Sequence, residues 1–307
     1  MLPRSATPDL FTPWQLGALE LRHRVVLPAL TLGLALPGGA PGPAMVAFYA
    51  RRATPGGLVV CEAAAINAGE HLPERPGLYS AEQVNQWRLL TEAVHDAGGL
   101  AVAQLGLLGA GARRSEALLQ DLGADRIEQY LLDYRSAAEN AGDAGFDAVE
   151  LQACDDALPL RLLHGACADC DPAYRGTVES RLRFVDQALG SLVGVWGRGR
   201  VGLCLAPREP AQAEGSGDLA AYAQLLRDLD RAGLAWLHLV EPPAPRSMAA
   251  LLRPHFAGEW LFDGDVDLQS ANAQVRSGQA QGIAFARGFL GRTDLVPHLR
   301  GALGAAG

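Results

Sequence analysis

Between Ala148 and Leu163 the chain reads AVELQACDDALPLRLL. A short apolar run, Ala148 to Gln152, gives way to polar groups at Gln152, Cys154, Asp155 and Asp156. The Gln152 amide can donate and accept, whereas ionised Asp155 and Asp156 only accept. Two neighbouring carboxylates can drive one pKa up and act as general acid and base. Adjacent side chains point in different directions, so a solvated loop or helix N-cap is the favoured reading of this pair. Cys154, His164, Cys167 and Cys170 have the ligand types of zinc and iron–sulfur sites. A single C-x-x-C in one local loop is weak support, so free thiols and no metal are expected there. Cys204 could be a nucleophile or a small buried apolar residue. His238, inside the apolar run Leu237 to Val240, reads as structural.

Composition limits the chemistry further. All 26 basic residues are arginine, so no lysine Schiff base can form. Any phosphate must be held by Arg, backbone N–H groups or a helix N-terminus. A net charge of −8 argues against a nucleic-acid surface. No apolar run reaches about 18 residues, so a membrane span is not expected. The first ten residues, MLPRSATPDL, lack the apolar core of a secretion signal. Five cysteines without a dense framework fit a reducing cytoplasm.

Elements of alternating type must position these groups. With 307 residues, 49% of them hydrophobic, the chain can build one large α/β barrel domain or two smaller domains. Eight apolar runs read as strands: Val25–Leu27, Leu58–Glu62, Leu100–Leu105, Ala148–Gln152, Val201–Leu205, Trp236–Val240, Trp260–Phe262 and Gly282–Ala286. They lack polar alternation, as parallel strands buried on both faces do. Helical patterns lie between them: 43–52, 81–97, 124–144, 180–195, 218–232, 246–256 and 268–277. Strict alternation predicts a (β/α)8 barrel, with residues 1–307 as a single domain. A doubly wound sheet is the alternative, but no G-x-G-x-x-G follows a strand. A Gly17-Ala18 turn between apolar residues predicts a hairpin under the barrel floor. Gly38–Pro43 reads as a loop at the active face, and 207–217 as a polar loop. In such a barrel, groups just past the strand carboxyl ends carry the chemistry.

The residues also resemble a known family, the old yellow enzymes, which are FMN-dependent ene-reductases. LFTPWQLGALELRHRVVLPALT, from Leu10 to Thr31, is similar to the family's opening. Phe48-Tyr49-Ala50-Arg51-Arg52-Ala53, Cys61-Glu62-Ala63, Gly77-Leu78-Tyr79 and Gln104-Leu105 resemble further family segments. So do Asp133-Tyr134 with Ala137 to Ala141, Arg183-Phe184, Leu239 to Pro242 and Phe285-Ala286-Arg287. Within 148–163, Val149, Glu150, Leu151 and Leu158 match. The match runs from about Leu10 to Leu299.

The resemblance implies an FMN site made by Ala29, Leu30, Thr31, Ala64, Gln104, Gln152, Cys204, Gly264, Asp265, Ala286 and Arg287. Thr31 would bond the flavin near N5 and O4, and Gln104 its pyrimidine edge. Arg287, with backbone near Gly264, would hold the phosphate in a buried pair. Read without the resemblance, Thr31 and Gln104 are buried polar residues satisfied by their neighbours, and Arg287 is a surface ion pair.

This chain departs from the family at several of these positions. Gln152 replaces the substrate-binding His, Asp155 the Asn or His, Asp156 a Gly, and Ala157 the proton-donating Tyr. Cys204 replaces an Arg beside the flavin, Ala286 replaces a Gly, and Asp265 adds negative charge near the phosphate. Only 30 positions separate Gln104 from Tyr134, which implies a missing lid and an open mouth. The expected catalytic groups are therefore Gln152, Asp155 and Asp156. The implied function is an FMN oxidoreductase using NADH or NADPH on a small-molecule substrate, with ordinary ene-reduction impaired. The alternative is a degenerate, flavin-poor member acting as a non-redox catalyst or as a stabilising subunit. A homo-oligomer or a heteromer with a paralogue fits either reading.

Overall fold

A computed structural model describes residues 7–69, 72–107, 122–154, 156–167, 169–241 and 244–305. Two short strands, β1 (Trp14–Leu16) and β2 (Leu19–Leu21), pair antiparallel across the Gly17-Ala18 turn. The barrel strands follow: β3 (Val25–Leu27), β4 (Leu58–Val60), β6 (Leu100–Gly106), β7 (Ala148–Ala153) and β8 (Val201–Leu205). Then come β9 (Trp236–Val240), β10 (Glu259–Asp263) and β11 (Gly282–Ala284). All eight pair parallel, and β11 against β3 together with β4 against β6 closes the ring. A two-residue strand, β5 (Ala64–Ala65), continues the line of β4 and pairs with the end of β6. The (β/α)8 expectation is met, with the hairpin beneath it.

The hairpin seals the amino-terminal end. Leu16, Leu19 and Leu21 pack with Val26, Leu58, Val102, Ala148, Trp236, Leu261 and Ala284 inside the barrel. Gly17 adopts φ 57°, and a Cβ there would lie 2.2 Å from the Gly199 carbonyl oxygen. That carbonyl accepts the Ala18 N–H at 2.7 Å. Only glycine tolerates both the left-handed backbone and the close approach.

The helices coat the outside: α1 (Pro43–Ala50), α2 (Ala81–Asp96), α3 (Ala124–Asp143), α4 (Leu158–Leu163) and α5 (Val178–Trp196). They continue as α6 (Pro210–Ser216), α7 (Asp218–Ala232), α8 (Met248–Leu252), α9 (Leu268–Ser277), α10 (Ala286–Gly291) and α11 (Leu295–Ala305). None of the described helices is long and apolar enough to cross a membrane.

Several boundaries differ from the sequence expectation, three of them in ways that change an element. The 207–217 stretch is mostly helix α6, with Pro210 in its first turn and Ala213 buried. Pro at a helix start has no N–H to lose, so it permits the helix instead of breaking it. The last barrel strand stops at Ala284, and Ala286 opens α10 instead of ending a strand. The 246–256 helix is shorter, passing at Arg253 into a 3₁₀ turn.

Candidate functional site at the barrel mouth

Polar side chains enter the barrel near its carboxyl-terminal end, one or two per strand. They are Gln104 on β6, Glu150 and Gln152 on β7, Cys204 on β8, His238 on β9 and Asp263 on β10. Parallel register sets Gln104 beside Glu150, Gln152 beside Cys204, and Cys204 beside His238. Strand side chains alternate between faces, so residues two apart on β7 share the interior.

Glu150 is the hub. Its Oε1 accepts from Gln104 Nε2 at 2.8 Å, and its Oε2 from Trp236 Nε1 at 2.7 Å. His238 Nδ1 stands 3.2 Å from both oxygens. All four residues are buried. Burial pushes the Glu150 carboxyl up, but the His238 charge and hydrogen bonds from His238, Trp236 and Gln104 outweigh it. The carboxyl is held below its usual range. Burial pushes the His238 imidazole down, but the Glu150 charge, reinforced by Asp263, raises it to about 10. The pair is therefore an ion pair at neutral pH, satisfied on the Glu150 side.

The layer above is less satisfied. Gln152 Oε1 is buried and has no hydrogen-bond partner. It turns toward β6, where a Cβ on Gly106 would lie 2.0 Å from it. Cys204 Sγ lies 3.7 Å from Cys154 Sγ, and both residues are buried. The neighbouring thiol and burial together push the Cys204 thiol up.

The expected acid–base pair takes a different form. Asp155 lies outside the described residues. Asp156 is exposed and has a left-handed φ of 62°. Its exposure fits the solvated-loop reading. Ala157 is fully buried at the N-cap of α4.

The expected flavin-binding residues all fall at this end of the barrel. Ala29 and Leu30 are half-buried just past β3, and Thr31 is exposed, not buried. Ala64 is buried in β5. Gln104 fits the neighbour-satisfied reading, because its amide is engaged by Glu150. Gly264 and Ala286 are half-buried. Arg287 corrects the expectation of a buried phosphate contact: its side chain is 83% exposed, and it pairs with Asp265 at 2.7 Å. Position 287 lies in α10, not in a strand, and this exposes its guanidinium.

The Cys154, His164, Cys167 and Cys170 run, where free thiols are expected, meets several different neighbours. Cys154 neighbours Cys204, His164 Nε2 meets the Tyr222 hydroxyl at 2.6 Å, and the Cys170 thiol donates to the Cys167 carbonyl at 3.4 Å. Residues 108–121, where the sequence implies a missing lid, lie outside the described residues.

These groups suit FMN at its two ends. The unpartnered Gln152 carbonyl is an acceptor for an N–H or O–H arriving at the mouth. The Arg287 guanidinium is an accessible cation at the end of β11, where barrels commonly hold phosphate. Asp265 competes with that phosphate, and Cys204 brings no charge.

Sequence reading missed the roles of Glu150, Trp236, His238 and Asp263. Their signal was a polar or amphipathic residue at matching depth inside separate apolar runs. Gly202 belongs with them, because a Cβ there would lie 2.0 Å from the Trp236 ring. Gly202→Ala is expected to displace the indole from Glu150 and lower stability by about 1–3 kcal/mol. Urea unfolding with an unchanged midpoint would contradict this.

Comparison with known proteins bears on the same face. The model of the NADH:flavin oxidoreductase / NADH oxidase family matches residues 9–121 and 112–303. Rice (Oryza sativa subsp. japonica) 12-oxophytodienoate reductase 1 is 31% identical, over 95% of this chain and 86% of its own. A structure of morphinone reductase in complex with tetrahydroNAD superposes with a TM-score of 0.83 at 30% identity, covering 97% and 91% of the two chains. The old yellow enzyme homologue from Zymomonas mobilis gives 0.84 at 28% identity, covering 96% and 93%. With its closed barrel, its floor hairpin and its polar mouth, the chain belongs to the NADH:flavin oxidoreductase family, that of the old yellow enzymes.

Proposed function

We propose that this chain is an FMN-dependent oxidoreductase whose substrate site has been rebuilt away from ordinary ene-reduction. Family membership makes FMN the cofactor and a nicotinamide nucleotide the reductant. Bound FMN supplies hydride transfer to a small unsaturated or carbonyl compound. Arg287 holds the phosphate, with backbone near Gly264. Thr31, Ala64 and Gln104 line the ring system, and Ala29, Leu30, Cys204 and Ala286 complete its walls. Glu150 fixes the Gln104 amide from below, so that residue meets a ligand already oriented. Gln152 presents an unsatisfied carbonyl to cofactor or substrate.

The observation that carries the rebuilt site is Ala157. A buried methyl group stands where the resemblance implies a proton-donating Tyr. Nothing at that position can deliver a proton. Gln152 keeps one donor for a substrate oxygen, and an ionised Asp155 would supply none.

A second reading, a member that has lost flavin and serves as a non-redox catalyst or stabilises a paralogue, draws on Arg287. Its guanidinium already has a counter-ion in Asp265. The absorbance of freshly purified protein, before and after FMN titration, separates the two. Flavin bands support the first reading, and no binding in the titration supports the second. Substitutions at the phosphate end test the assignment with opposite signs. Arg287→Ala is expected to weaken FMN by roughly two- to fivefold, the scale of an exposed pair. Asp265→Asn is expected to tighten it, because it frees the guanidinium. Fluorescence titration in which both variants matched wild type would remove Arg287 from the phosphate site.

A further inference from the structure

Leu261 of β10 packs inside the barrel, and Asp263, two residues on, shares that face. Register sets Leu261 beside His238 and Asp263 beside Val240. The Asp263 carboxylate therefore lies one inward-facing step nearer the mouth than the imidazole. It closes the strand, and Gly264 follows directly.

Two carboxylates thus face one imidazolium. Glu150 is the closer, with both oxygens 3.2 Å from Nδ1. Asp263 Oδ2 stands 3.8 Å from Nε2, too long for a hydrogen bond. Among the described residues this is the one ion pair Asp263 makes, and its side chain is only 19% exposed. A carboxylate so far out of water is costly unless donors meet its oxygens. His238 is already matched by Glu150 and gives Asp263 charge without a short bond. Its lone pairs are left for donors that arrive from the mouth.

The proposed FMN site leaves the middle of the cofactor unassigned. Its ring lies against Thr31, Ala64, Gln104 and Cys204, and its phosphate at Gly264 and Arg287. The ribityl chain joins the two and has to cross the end of β10. Its hydroxyls can donate, whereas a carboxylate only accepts. We propose that Asp263 holds the ribityl chain of FMN by accepting hydrogen bonds from its hydroxyl groups, with His238 steadying the carboxylate from the floor side. The assignment rests on the FMN reading and extends it to a residue that reading does not use. Without such donors, a carboxylate one residue before Gly264 would only repel the phosphate.

The test is fluorescence titration of the full chain with three flavins: FMN, riboflavin, which lacks the phosphate, and lumiflavin, which lacks the whole chain. In Asp263→Ala, FMN and riboflavin should both bind about ten- to a hundredfold more weakly, the scale of hydrogen bonds to a charged group. Lumiflavin should bind that variant as it binds wild type. Arg287→Ala, by contrast, should weaken FMN alone. Should Asp263→Ala fail to fold, Asp263→Asn keeps the volume and one acceptor oxygen. It should lose roughly three- to tenfold on riboflavin and nothing on lumiflavin. Equal losses on all three flavins would make Asp263 structural. Tighter FMN binding in Asp263→Ala would make it a repulsive neighbour of the phosphate. Either result overturns the assignment, as does wild type that binds lumiflavin as tightly as riboflavin. Wild type that binds none of the three would overturn the FMN reading, and this assignment with it.

Discussion

Chemically reduced, FMN-loaded protein mixed anaerobically with cyclohexenone or N-methylmaleimide is expected to recover its oxidised absorbance far more slowly than an ene-reductase would. Reduction of an enone builds negative charge on the carbonyl oxygen, and two preorganised donors normally stabilise it. Here the Gln152 amide can be one. An ionised Asp155 would repel the charge instead. Losing one such donor costs about 10²–10³ in rate, before repulsion is added. The second proton has no source at Ala157, which is buried and aliphatic, so it must come from water. Stopped-flow traces decide the matter. Recovery at rates of about 1–10³ s⁻¹, ordinary for an enzyme, would refute the rebuilt-site reading. If so, a fall in that rate in Asp155→Ala would identify a protonated Asp155 as the missing donor.

Glu150→Gln is expected to be the most destabilising isosteric change in the barrel, at about 3–5 kcal/mol. It leaves His238 buried without its principal counter-charge, and the single amide oxygen can accept from only one of Trp236 and Gln104. The pH profile carries a signature. His238 is raised from 6.5 to about 10 on folding, chiefly by Glu150 against the opposing effect of burial. Its contribution is therefore full below pH 6.5 and is lost as pH climbs toward 10. The folded Glu150 carboxyl lies below its usual 4.5, so its contribution holds above 4.5 and is lost as pH falls through the lowered value. Asp263 and Cys204 also face His238, but neither replaces Glu150 as its hydrogen-bonded partner. Urea midpoints of wild type should fall between pH 6.5 and 10, and those of Glu150→Gln should lose that slope. Equal slopes in the two proteins would show that the pair does not govern the profile.

Much of the barrel was legible because buried parallel strands have no polar face to hide. Val201–Leu205 and Trp236–Val240 read as strands with the bounds they have. Helix α6 was not, because Pro210 and Gly217 look like loop residues until their places at the helix ends are known. At Phe285-Ala286-Arg287 an apolar run continued past the strand's true end, and α10 was hidden by it. The mouth was only half legible. Positions matched to a family motif could be placed on strand ends, but burial could not, so Thr31 and Arg287 came out exposed. The contact between Cys154 and Cys204 has no local spacing to find. Its two cysteines are 50 residues apart and meet only because β7 and β8 are neighbours.

Ring closure also sets a timetable for synthesis. One edge of β3 finds its partner only in β11, and Arg24 near that seam bonds the Gln281 carbonyl across 257 residues. At about 5–20 residues per second, the first barrel strand waits roughly ten to fifty seconds on the ribosome for the last. Throughout that wait Val25, Val26 and Leu27 present an apolar edge with open backbone groups, the kind of edge on which chains aggregate. The floor hairpin must wait as well, since Gly17 and Ala18 dock on Gly199. A nascent chain arrested before β11 should thus bind holdase chaperones, and one released after it should not.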